Sequence, residues 1–120
     1  MSEDYPALHK HLQRLSAELA KELGSPMSAF AQLNGAATAP GALDARTKQL
    51  MTLGMSITAR CEGCIAYHVH DAIRAGATRP EIMETIALAI LMGGGPAVVY
   101  ACKALEAFDQ FTSSASAEKR

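Results

Sequence analysis

Apolar residues recur every three or four positions along most of this chain and almost nowhere alternate with period two. Leu8, Leu12, Leu15, Leu19 and Leu23 set the rhythm first, the signature of one face of an α-helix. Pro6 can open that helix, and Gly24 stops it in the C′ position that tolerates positive φ. Ser25 reads as an N-cap with Pro26 at N1, starting a second helix through Met27, Phe30 and Leu33. The stretch from Gly35 to Gly41, with Thr38 and Pro40, reads as a loop. Asp44 then caps a third helix whose inner side carries Leu50, Leu53 and Ile57 and which ends near Arg60. A fourth follows almost at once, runs to Ala75 and stops at Gly76.

Thr78-Arg79-Pro80-Glu81 matches a capping box, in which hydroxyl and carboxylate satisfy each other's amides. The fifth helix, reaching about Met92, is apolar nearly all round, through Ile82, Met83, Ile86, Leu88, Ile90 and Leu91. A helix with no wet face in a small domain needs a second layer, and a homo-oligomer is the simplest supplier. Gly93-Gly94-Gly95-Pro96 breaks the run before a last helix through Val98, Val99, Leu105, Phe108 and Phe111. The pattern predicts an all-α fold, a compact bundle of about six helices assembling as a homo-oligomer. Residues 1–112 form the single domain, and 113–120 read as a frayed tail.

Composition narrows the picture. The chain has 120 residues, 49% of them hydrophobic, enough for one packed domain. Its formal net charge is -1 and no basic stripe forms, which argues against nucleic acid and anionic membranes as partners. Ile86 through Cys102 carries no charge, yet it falls short of the ~20 residues a membrane span needs and is broken by the glycines. It reads as two buried helix segments. The opening residues lack a charged-then-apolar signal pattern, and the cysteine count is 3. Both features predict a reducing, cytoplasmic setting, where CxxC is more often catalytic or metal-binding than a staple.

The candidate chemistry lies in Cys61-Glu62-Gly63-Cys64-Ile65-Ala66-Tyr67-His68. Positions i, i+3 and i+7 fall within roughly one sixth of a helix's circumference. Side chains three or four apart have Cβ atoms about 5–6 Å from each other, near disulfide range. The helix start lowers a thiol's pKa, and His68 can accept the proton. Inert packing is the bland alternative, but CxxC spacing with a helix-phased histidine disfavours it. Zinc is a second rival; it wants a fourth ligand, and His70 lies about 160° or more around the helix from His68.

Other residues read as ordinary. Cys102 is expected in the core, His9 and His11 on a polar surface, and the six methionines as gap-fillers of the interior. The triple glycine lacks any phosphate-loop context.

From Arg46 to Tyr100 the chain resembles the alkylhydroperoxidase D-like branch of the carboxymuconolactone decarboxylase family. The matching residues are Ser56-Ile57-Thr58-Ala59-Arg60, Cys61-x-x-Cys64-x-x-x-His68, Ala75-Gly76-Ala77-Thr78, Pro80-Glu81-Ile82, and Gly93-Gly94-Gly95-Pro96-Ala97 with Tyr100. The resemblance implies trimers or hexamers of small helical subunits with thiol-dependent peroxidase or disulfide-reductase activity. It makes Cys64 the peroxide-attacking thiol and Cys61 the more accessible partner that resolves it and meets an external thiol reductant. His68 joins the proton relay. Two positions depart from the founding peroxidases: Gln49 stands where a relay glutamate is expected, and Gly63 where a histidine lies between the cysteines. An amide can orient a neighbour but cannot take a proton.

The leading expectation is thus a thiol-dependent antioxidant oxidoreductase acting on a hydroperoxide or disulfide. Its redox core spans about residues 44–111, and it uses Cys61, Cys64, His68 and Gln49 with no cofactor and no metal. The alternatives are a lyase of the carboxymuconolactone decarboxylase type and a non-enzymatic redox switch.

Overall fold

A computed structural model describes residues 3–118, with side chains through residue 113. Six α-helices make up the described chain: α1 Tyr5–Leu23, α2 Ser25–Thr38, α3 Ala45–Thr58, α4 Glu62–Arg74, α5 Arg79–Gly93 and α6 Gly95–Glu118. Helices α3 and α6 pack against each other and against both α4 and α5 around one core, and α1 lies across α4 and α6. The expected all-α bundle is therefore present. Helix α6 continues past residue 112, where the domain was expected to end; residues 119–120 lie outside the described residues. Among the described residues, no helix is long and apolar enough to cross a membrane.

Local rules account for most boundaries. Asp44 accepts the Thr47 amide at 2.8 Å, and Thr78 with Glu81 closes the capping box at the head of α5. Gly24 and Gly94 each end one helix and begin the next with no linker residue between. Their φ of 67° and 68° permits so sharp a turn. Gly24 is thus the N-cap of α2, and Ser25, expected in that role, is its first helical residue.

The loop expected from Gly35 to Gly41 is shorter than its composition suggested. Helix α2 continues through Thr38, whose hydroxyl donates back to the Asn34 carbonyl at 2.7 Å. Alanines around Gly35 supply the helix propensity that the single glycine lacks. Lys48 then ties down the carbonyls of Ala37 and Ala39 at 3.1 and 2.6 Å.

Leu53, Ile57, Ile65, Val69 and Ile82 are fully buried. Facing them, α6 presents Ala97, Ala101, Ala104 and Ala107, small residues that let neighbouring helices approach closely, with Phe108 filling the end of the core. The other faces are emptier than expected. Leu15, Leu19 and Leu23 of α1 are exposed, and α2 buries no residue at all. Of the methionines expected inside, Met51, Met55 and Met92 are exposed, with Leu88 and Leu91 beside them. Val98 and Val99 are exposed too, so the uncharged run from Ile86 is only half core. One helical face can meet the core of so small a bundle; the opposite apolar face, lacking an inner layer, stays outside.

Candidate active site

The junction of α3 and α4 is built by a double cap. Arg60 takes a left-handed conformation, φ 57°, while its amide reaches the Ile57 carbonyl at 3.1 Å. The Cys61 amide reaches the Ser56 carbonyl at 3.1 Å, completing a Schellman motif without glycine. Such a backbone conformation costs a non-glycine residue roughly 1 kcal/mol, and it sits directly beside the CxxC.

Cys61 thus closes α3 and opens α4 at once. It is the N-cap of α4 rather than a helical residue, with its Sγ accepting the Cys64 amide at 3.1 Å. Cys61 and Cys64 are joined in a disulfide across a Cα–Cα separation of 5.1 Å, and both are half-buried.

His68 stands one turn beyond Cys64, half-buried. Its Nδ1 lies 3.2 Å from Gln49 Oε1 and 3.1 Å from Thr52 Oγ1, both on α3. Burial pushes the His68 pKa below its usual 6.5, opposed more weakly by Asp71. The ring is therefore neutral at pH 7 and free to take a proton. Of the four residues singled out from the sequence, Gln49 is brought against His68 and Cys61 is bonded to Cys64, the two pairs linked along the first two turns of α4. Thr52 was missed, although its place three residues after Gln49, on the same face of α3, was a readable signal.

Gly63 has a packing reason. A Cβ there would stand 2.9 Å from Leu12 Cδ1, so α1 already fills the space a side chain at this position would need. Among the described residues, no group of three or more His, Cys, Asp or Glu side chains is placed to hold a metal ion.

Two expectations elsewhere are corrected. Cys102 is a free, exposed thiol, not a core residue. It falls next to Ala101 and off the buried line of Ala97, Ala101, Ala104 and Phe108, as the helical period requires. His9 is buried rather than solvent-facing, stacked on His70 at 4.2 Å between centroids and edge-on to Tyr67 at 4.8 Å. His11, by contrast, is exposed as expected.

The buried His9 yields a pH prediction. Burial first, then the proximity of His70, lowers the His9 pKa from 6.5, with Asp71 opposing. The unfolded chain therefore binds more protons than the folded one as pH falls below 6.5, and stability drops with pH until folded His9 also protonates. Thermal melts between pH 7 and pH 5 should show a falling Tm, with a shallower slope in His9→Phe. An unchanged slope in that variant would remove His9 from the account.

The chain belongs to the carboxymuconolactone decarboxylase family, whose sequence profile matches residues 26–107. An uncharacterized protein of Cupriavidus necator is 36% identical over 109 residues, covering 91% of this chain and 96% of that one. An uncharacterized protein encoded in the cox locus of Paracoccus denitrificans is 44% identical over 82 residues, 68% of this chain and 74% of its own. Among solved structures, a family member from Legionella pneumophila superposes with a TM-score of 0.88 at 39% identity, covering 92% of this chain and 98% of that one. A Thermotoga maritima member, for which involvement in an antioxidative response has been suggested, gives 0.84 at 27% identity, covering 93% and 96%.

Proposed function

We propose that this protein is a thiol-dependent oxidoreductase of the alkylhydroperoxidase-like kind, cycling Cys61 and Cys64 between dithiol and disulfide. The observation that carries the reading is the bonded cysteine pair at the N-cap of α4, with a neutral His68 one turn on. The antioxidative role suggested for the Thermotoga relative points the same way.

In this cycle His68 accepts the Cys64 proton, and the thiolate attacks the terminal oxygen of a hydroperoxide. The O–O bond breaks, the alkoxide takes a proton and leaves as alcohol, and Cys64 becomes a sulfenic acid. The Cys61 thiol then attacks that sulfur, water departs, and the disulfide closes. An external dithiol restores the pair. The reductant attacks the Cys61 sulfur, Cys64 leaves as a thiolate at the start of α4, and a second exchange frees Cys61. We place this chemistry in the cytoplasm, in a trimer or hexamer whose partner copies cover the open faces of α3 and α5.

The test is stopped-flow peroxide consumption by the reduced protein. Cys64→Ser is expected to fall to the uncatalysed background, and equal rates in the two proteins would end the proposal. Gln49, an amide where a carboxylate would serve as a base, favours a second reading as a redox switch. That reading expects one stoichiometric oxidation, and repeated peroxide additions with a dithiol donor separate it from turnover.

A further inference from the structure

We propose that Thr52 is a positioning residue that holds His68 in its Nδ1–H tautomer, so that Nε2 is the nitrogen that takes the Cys64 proton. The proposal deepens the dithiol reading and rests on it for its functional meaning.

The argument is an accounting of protons. Thr52 has one hydroxyl proton, and its shortest contact is to the main-chain carbonyl of Gln49 at 2.9 Å. A carbonyl can only accept, so that contact uses the hydroxyl proton. The oxygen of the same hydroxyl then faces His68 Nδ1 at 3.1 Å with lone pairs alone. Gln49 Oε1 stands 3.2 Å from the same nitrogen and is likewise an acceptor. Two acceptors on one ring nitrogen require a proton there, and a neutral imidazole with Nδ1–H keeps its lone pair on Nε2.

The consequence reaches Cys64. Proton transfer from its Sγ to Nε2 gives an imidazolium whose Nδ1–H is already held by both oxygens. No carboxylate is then required to set the ring's orientation. The proton later passes to the departing alkoxide, returning His68 to the same tautomer. In this chain an amide and a hydroxyl together perform the orienting half of a carboxylate's work, without its charge.

The experiment uses the intact reduced protein. Long-range proton–nitrogen NMR, with His68 assigned by comparison with His68→Gln, reads the tautomer directly. Iodoacetamide alkylation of Cys64 across pH 5 to 9 reads the proton transfer. The wild type is expected to show Nδ1–H. Thr52→Val, which keeps shape but loses the hydroxyl, should lose that bias and slow Cys64 alkylation at neutral pH by about tenfold, at the lower end for losing an orienting partner. Thr52→Ser should restore both.

An Nε2–H wild type would overturn the proposal. So would a Thr52→Val protein that melts earlier but keeps wild-type tautomer and alkylation rate, since Thr52 would then be structural only. A wild type with Nδ1–H in place but no peroxide consumption would defeat the peroxidase reading and leave this assignment standing.

Discussion

Gln49→Glu should make the reduced protein consume peroxide faster, toward the ~10²–10⁴-fold that general-base assistance typically contributes. The amide oxygen of Gln49 is 3.2 Å from His68 Nδ1, so a glutamate in the same rotamer would place a carboxylate against the ring. A carboxylate forms a charge-assisted bond to an imidazolium that an amide cannot match. Burial now holds the His68 pKa below 6.5, and the new charge would raise it. The acid limb of the pH–rate profile should therefore move to higher pH as the neutral-pH rate climbs. An unchanged rate with an unmoved limb would mean that Gln49 does not act on the chemistry through His68.

The largest effect on stability is expected at Leu53. It is fully buried on α3, in the core shared by α4, α5 and α6, one residue after Thr52. Leu53→Ala removes its side chain from a packed interior that can collapse only partly, at a cost of about 2–5 kcal/mol. Domains commonly have only ~5–15 kcal/mol in total, so much of the margin would go. Urea unfolding should show a lower midpoint with the slope nearly unchanged. Leu33 on α2 is the contrast, being 61% exposed. On this chain alone, Leu33→Ala should change stability by less than ~0.5 kcal/mol. A loss above ~1 kcal/mol there would indicate that another copy covers α2 in solution, whereas a small loss at Leu53 would contradict the packing of the core.

How well the sequence could be read differed with the range of the interaction involved. Capping at Asp44 and Thr78 was legible because each cap spans three residues, and the partner atoms are backbone groups present in any sequence. The CxxC and His68 were legible for the same reason, as all three lie within one or two helical turns. The loop through Gly35 was misread because two glycines and a proline suggested a break, whereas the neighbouring alanines and the Thr38–Asn34 bond sustain the helix. His9 was misread because its polar neighbours Lys10 and His11 share its helix but not its face. Only the arrival of Tyr67 and His70 from α4 makes His9 a buried residue.

The sequence by itself determined the helices, the caps at Asp44 and Thr78, and the placing of two cysteines and a histidine within the first two turns of α4, because those features depend on periodicity and contacts a few residues apart. Tertiary structure decided what surrounds that pair: Gln49 and Thr52 brought from α3 to Nδ1, Leu12 over Gly63, and Cys102 turned outward. It also decided which of each helix's apolar faces is buried. Those outcomes depend on how helices far apart in sequence cross, and a helix's own period is the same whichever face the rest of the bundle covers.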